Sequence, residues 1–273
     1  MRDTGDLDPP STDLNTNVPH SARVYDYLLG GKDNFAVDRA AAEDVVKIAP
    51  YMRTSTRANR EFMVRTARYL AAERGIRQFL DIGTGLPTSP NLHEVVQGVD
   101  PSCRIVYVDN DPIVLVHARA LLTSAPEGTS RYIHADLGEP ETILESSALR
   151  ETLDLDRPIG LCLIAVLHFI NDEDKARSVI RRLMEPLAAG SFLVLSTITL
   201  DSAPTQVAAA VSAYNSRGIN SKARTRAEVT SFFDGHELLE PGVVPVHHWR
   251  PDAKAKAIDD SQVSMYGGVA LKG

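Results

Sequence analysis

From residue 76 onward the chain repeats one unit, a short apolar run followed by a stretch with helical spacing, and this alternation constrains the fold more than any other feature. The runs are IRQFLD, RIVYVD, SRYIHAD, IGLCLIAV and SFLVLST. Strands buried on both faces read as near-continuous apolar runs, and helices alternating with them cover the two faces of a parallel sheet. Between successive runs lies enough chain for a right-handed crossover. Residues 87–97 supply one such helix, Asp111 and Pro112 open a second as cap and first helical residue, and 171–187 form a third. The expected fold class is therefore α/β, a doubly wound sheet. Two later runs, VVPVHHW and VSMYGGVALK, joined by a short polar link, predict an antiparallel pair at one sheet edge.

Upstream, SARVYDYLLGG predicts a short helix stopped at Gly30-Gly31, and DRAAAEDVVKIAP a second that Asp38 caps. TSTRANREFMVRTARYLAAERG predicts a third, with Met63, Ala67 and Leu70 as its apolar stripe. The expected organisation is a disordered tail over 1–21, a helical cap over 22–75 and a cofactor-binding domain over 76–273. The tail, with four Asp against one Arg in its first 17 residues, is neither a secretory signal nor a transit peptide, and implies a cytoplasmic address. No 18-residue apolar run is present, so no membrane span is expected. A formal charge of −7 disfavours nucleic acid as partner, because phosphate binding needs clustered Lys and Arg. Residues 22–75 are the local exception, with ten Lys or Arg against seven Asp or Glu. Arg53, Arg57 and Arg60 fall at helical spacing there, either as a solvated face or toward an anionic group. Cys103 and Cys162 lack metal-ligand spacing and are expected as buried apolar residues. Oligomeric state is left open.

Ligands of a doubly wound sheet bind outside the carboxyl ends of its strands. The first such segment is Asp81-Ile82-Gly83-Thr84-Gly85-Leu86-Pro87, where two glycines admit close approach of a ligand. Thr88 stands where a dinucleotide fingerprint has its third glycine, which counts against a pyrophosphate. Asp81, two residues before the first glycine, suits an ammonium or sulfonium, and S-adenosylmethionine carries both. Asp109 ends the second run 24 residues beyond Gly85, near the separation of a carboxylate that accepts ribose hydroxyls; the competing assignment is a second helix cap beside Asp111. Asp136 and Leu137 end the third run, placed to accept from an adenine amine and to cover its ring, or else to form a solvated loop.

In order and spacing, DIGTGLP, YVDNDP and HADLGEP resemble the Rossmann-like S-adenosylmethionine-dependent methyltransferases. A closer resemblance, through RVYDYLLGGKDNFAVDR, RANREFMVRTARYLA, AVLHFI and RTRAEVTSFFDGHELLEPGVV, is to a bacterial methyltransferase family of unestablished substrate. The resemblance implies a seven-stranded, mostly parallel sheet with a late antiparallel strand and an N-terminal helical appendage. It places Gly83 and Gly85 along the methionine portion, Asp81 at its amine, Asp109 at the ribose, and Asp136 at the adenine amine with Asn110 and Leu137 flanking the ring. It puts Ala165 and His168 beside the methyl group. The stretch Ala165-Val166-Leu167-His168 departs from the Asn/Asp-Pro-Pro-Tyr pattern of adenine and glutamine amino-methyltransferases, which points to a small-molecule acceptor. His168 is then a candidate base, against the alternative of a hydrogen-bonded histidine at a helix entrance. Tyr25, Tyr27, Asn34 and Asn59 are candidate lid contacts or simply helix packing. His247 and His248, adjacent on a predicted strand, would point to opposite faces and could not share a metal, so none is expected. Two rival functions share the fold: a cofactor-binding regulator without turnover and a NAD-dependent oxidoreductase.

Overall fold

A computed structural model describes residues 15–121 and 124–273; the first 14 residues of the expected tail lie outside them. In chain order the elements are α1 (Ser21–Leu29), α2 (Ala36–Ile48), α3 (Met52–Ala72), β1 (Gln78–Ile82), α4 (Leu92–Gln97), β2 (Arg104–Asp109), α5 (Pro112–Leu121), β3 (Thr129–His134), α6 (Pro140–Leu144) and α7 (Ser147–Thr152). They continue with β4 (Gly160–Ile164), α8 (Glu173–Met184), β5 (Phe192–Ile198), α9 (Pro204–Ser216), α10 (Arg226–Ser231), β6 (Glu237–Leu238), β7 (Val244–Pro245), α11 (Ala253–Lys256) and β8 (Met265–Leu271).

Alternate residues of the central strands enter two different cores, which is why their sequences are largely apolar. Phe79, Ile105, Tyr107, Cys162 and Val194 pack on one face, while Leu80, Val106, Leu161, Leu163 and Leu195 pack on the other. The strand order is β3-β2-β1-β4-β5-β8-β6, with β7 also on β8. β1 to β5 run parallel, β8 runs antiparallel beside β5, and β6 and β7 pair antiparallel with the two halves of β8. The fold is thus the Rossmann-like one, and the order reverses between β1 and β4. Both cysteines are free and buried.

Several expectations move. The two late runs do pair antiparallel at one end of the sheet, as β7 and β8, but the short β6 also pairs with β8 there. The run VVPVHHW pairs only through Val244 and Pro245 before turning into a 3₁₀ turn, Val246–His248, because Val246 and Trp249 dive into the core. Trp249 sits edge-on between Phe62 and Tyr69, at 5.8 and 5.5 Å. α2 begins three residues earlier than its sequence suggests, and Asp38 caps it from the third helical position, accepting from the Phe35 N–H at 2.8 Å. Of the 22–75 segment, α3 shares the sheet's own hydrophobic core through Ala58, Phe62 and Leu70, while α1 and α2 make a separate cluster with α9. Residues 15–20 fold onto this body: Val18 accepts from Arg23 Nη2 at 3.0 Å and the His20 N–H donates to Asp38 at 2.9 Å. Among the described residues, no helix is long and apolar enough to cross a membrane.

Candidate active site

At the end of β1 the chain must turn sharply, and Gly83 allows this for two reasons. Its φ is +73°, and a Cβ there would lie 2.4 Å from Val166 Cγ2, on the neighbouring β4 loop. Gly85, also left-handed at φ +68°, has open space where its Cβ would be, and its N–H donates to Asp109 Oδ2 at 2.8 Å. The second oxygen of Asp109 accepts from the Asp111 N–H at 2.9 Å, and Asp111 in turn accepts from the Ile113 N–H at 3.0 Å, so the helix-cap duty falls to Asp111. Asp81 accepts from the Thr84 hydroxyl at 3.0 Å. Asp136 accepts from the Gly138 N–H at 2.6 Å and from Asn110 Nδ2 at 2.8 Å. The three carboxylates end adjacent strands and line one cavity of about 300 Å³, together with Gly83, Gly85, Asn110, Leu137 and Ala165. All the candidate cofactor residues therefore meet in one place. Burial pushes Asp81 up to about 6 and raises Asp109 as well.

Beyond β4 the backbone is strained at Ala165, whose φ is +54°, and its N–H donates to the Ser196 carbonyl and hydroxyl at 3.1 and 3.0 Å. Ser196 Oγ then donates to Asn59 Oδ1 at 2.6 Å; Asn59 Nδ2 donates to the Tyr25 hydroxyl at 2.9 Å, which donates to the Thr56 carbonyl at 3.2 Å. Tyr25 and Asn59 thus reach the cavity, one on its wall and one tying α3 to β5. Tyr27 and Asn34 do not line it. Tyr27 donates to Glu43 at 2.7 Å, and Asn34 donates to Asp26 at 2.7 Å, because the Asp26 carboxylate folds the 31–34 turn back onto α1.

His168 sits buried in a 3₁₀ turn, Leu167–Phe169, and its Nδ1 has no hydrogen-bond partner among the described residues. Burial, with the Arg224 charge adding to it, lowers its pKa to about 3. A ring so held is neutral at physiological pH, and its pKa lies below the near-neutral range in which a general base works best. Two-dimensional NMR of the imidazole carbons should show no titration of His168 above pH 5; a midpoint near 6.5 would contradict the burial argument. Because the unfolded ring protonates near 6.5, His168 costs the native state stability as pH falls from 6.5 toward 3.

Arg60 is a site residue that the sequence flagged only as one of three. Arg53 pairs with Glu43 at 2.7 Å and Arg57 is exposed, but Arg60 lines the cavity. It donates to the carbonyls of Thr88 and, at 2.8 Å, Pro90, and its buried Nε has no hydrogen-bond partner among the described residues. No other Lys or Arg lines the cavity among the described residues. Helical spacing could find the stripe, but not which arginine faces inward. His247 and His248 do not diverge as a strand would require: in their 3₁₀ turn both Nε2 atoms meet Asp260 Oδ1, at 2.9 and 2.8 Å. They are separate from the cavity.

The model of a family described as S-adenosyl methyltransferase matches residues 8–273. No curated protein matches the sequence. Among solved structures, a DUF574 family protein from Streptomyces avermitilis MA-4680 is 49% identical over 95% of this chain and 100% of its own, with a TM-score of 0.93. A proposed methyltransferase from Thermobifida fusca YX is 39% identical over 96% of this chain and 98% of its own, with a TM-score of 0.88. The plantazolicin methyltransferase BpumL, solved with S-adenosylhomocysteine, shares the fold at 12% identity and a TM-score of 0.52, over 92% of this chain and 95% of its own. With a cavity walled by three strand-end carboxylates and a family match spanning nearly its whole length, the chain belongs to the S-adenosyl methyltransferase family and is an S-adenosylmethionine-dependent methyltransferase.

Proposed function

We propose that the chain methylates a small-molecule acceptor at oxygen or nitrogen, with the cofactor laid along the strand ends from β3 to β4. The observation that carries this reading is the charge arrangement of one cavity: Asp81, Asp109 and Asp136 at successive strand ends, and Arg60 beside the β1 loop. Such a donor set fits S-adenosylmethionine. Three carboxylates and a single guanidinium suit a nucleoside with an amino-acid tail and would repel a pyrophosphate. The floor also fits, since Gly83 brings the backbone so close to Val166 that a Cβ would clash, and Gly85 leaves open space where its Cβ would stand.

In this reading Asp136 accepts from the adenine amine, with Leu137 and Asn110 against the ring, and Asp109 accepts from the ribose hydroxyls. Asp81 faces the ammonium and Arg60 the carboxylate. When bound, S-adenosylmethionine supplies a methyl group already activated by its sulfonium. The protein's own task is then positioning and exclusion of water. The network from Ala165 through Ser196, Asn59 and Tyr25 fixes the backbone at the cavity floor. His168 contributes a neutral wall. An acidic chain without a cluster of Lys or Arg at the site favours a small acceptor over nucleic acid.

Methyl-labelled S-adenosylmethionine offered with a panel of alcohols, phenols and amines tests the reading: label should pass to an extractable small molecule. Cofactor binding with no transfer to any of them would favour a regulator. Asp109→Ala should weaken S-adenosylhomocysteine binding by about 1–3 kcal/mol in calorimetry, the cost of a charge-assisted hydrogen bond. Unchanged affinity would remove Asp109 from the site.

A further inference from the structure

Strand order distributes the cavity along the sheet edge. Asp136, Asp109 and Asp81 occupy its β3, β2 and β1 portions, and Arg60 is held by the loop after β1. The rest of the cavity lies over the ends of β4 and β5 and the start of β8, and its walls change character there. Ile198 closes β5, Met265 opens β8, Phe169 follows the β4 loop, and Met52 and Ile219 come from α3 and the segment after α9.

Most polar groups in this half are already committed. Ser55 Oγ accepts from the Ser264 N–H at 3.0 Å, Thr56 Oγ1 donates to the Met52 carbonyl at 2.8 Å, and Asn59 and Tyr25 spend themselves on each other and on Ser196 and Thr56. His168 carries no charge at neutral pH. Two groups are the exception: the buried Nδ1 of His168, which has no hydrogen-bond partner among the described residues, and the hydroxyl of Tyr214 of α9, which lines the cavity and is perturbed by burial alone. That burial raises the Tyr214 pKa, so the side chain is a phenol that only donates or accepts a hydrogen bond.

We infer that the cavity over β4, β5 and β8 is the acceptor chamber, that it takes an uncharged, largely apolar molecule bearing a hydroxyl or comparable polar group, and that Tyr214 is the residue that hydrogen-bonds this group. The inference rests on the cofactor occupying the β3 to β4 side. A charged acceptor would enter a wall with no counter-charge, at a desolvation cost that nothing there offsets. A neutral one loses water from apolar surface and satisfies Tyr214.

Calorimetry on the whole protein saturated with S-adenosylhomocysteine tests this, because the cofactor half is then filled. The probes are 2-naphthol, naphthalene, 2-naphthoate and 2-naphthyltrimethylammonium. The neutral 2-naphthol should bind, with both ions weaker by at least about tenfold. Tyr214→Phe should weaken 2-naphthol about fivefold and leave naphthalene unchanged, as loss of one hydrogen bond requires. Ile219→Trp should abolish 2-naphthol binding while S-adenosylhomocysteine still binds, which also shows that the variant is folded. Either ion binding as tightly as 2-naphthol, no binding of 2-naphthol, or a Tyr214→Phe protein indistinguishable from the parent would overturn the inference. Failure of S-adenosylhomocysteine itself to bind would instead sink the cofactor reading.

Discussion

Arg224→Ala should lower the free energy of unfolding by about 3–5 kcal/mol, the range for breaking a buried ion pair from one side. Arg224 is fully buried and holds three things at once. Nη1 donates to the Leu167 carbonyl at 3.1 Å, Nη2 to the Ile170 carbonyl at 2.5 Å, and Nε to the Glu173 carboxylate at 3.0 Å. Truncation strands two carbonyls that close the His168 turn. Lys222 still reaches Glu173 at 2.6 Å, which places the expected cost toward the lower end. Arg224→Lys keeps the charge but not the planar fork, and should recover less than half of the loss. Urea unfolding followed by far-ultraviolet dichroism measures both. A loss below about 1 kcal/mol for the alanine variant would mean the clamp is dispensable, contrary to its burial.

S-adenosylhomocysteine affinity should rise steeply with pH through about 6, because only ionised Asp81 can hold an ammonium. Burial raises this carboxyl to about 6, with Asp109 adding to the shift, while Thr84 and Arg60 oppose it. The sign for stability is the reverse of that for binding. A carboxyl whose native pKa exceeds its unfolded value stabilises the protein below pH 3.8, and that contribution is lost as pH rises through 6, by roughly 3 kcal/mol. The free protein therefore stores at Asp81 a cost that a bound cation relieves. Dissociation constants should grow about tenfold for each pH unit below 6, giving an affinity some 30-fold weaker at pH 4.5 than at pH 7. Asp81→Asn should bind weakly at every pH and flatten the profile. An unchanged profile in that variant would show that another group, not Asp81, governs binding.

Much of this architecture was legible because its signals are local. Largely apolar runs such as IRQFLD and RIVYVD, alternating with helical stretches, read as doubly covered strands, and the carboxylate that closes each one falls at a strand end by chain geometry alone. Asp81, Asp109 and Asp136 were found that way, and they line one cavity. Signals that depend on tertiary address were not legible. Helical spacing could not tell that Arg60 turns inward while Arg57 is exposed, since that depends on where the Thr88 and Pro90 carbonyls lie. Tyr27 and Asn34 read either as lid contacts or as helix packing, and spacing could not choose between them; their partners are Glu43 and Asp26, close by in the same helical segment. The strand period assigned to His247 and His248 failed because burial of Val246 and Trp249 outweighs the pairing that Val244 and Pro245 begin. His168 carries the sharpest lesson. Its position after β4 was apparent, but its protonation is set by burial and by Arg224, more than fifty residues away.

The central claim is that the loops leaving β1, β2 and β3 close around an adenosyl group with its amino-acid tail. A crystal structure of the chain with S-adenosylhomocysteine tests it most directly. Adenine should lie beside Asp136 and Leu137, the ribose hydroxyls on Asp109, and the tail between Asp81 and Arg60, with the β4 and β5 side left for a second molecule. A ligand seated over β4, β5 and β8 instead, or one that touches none of these three carboxylates, would contradict the account.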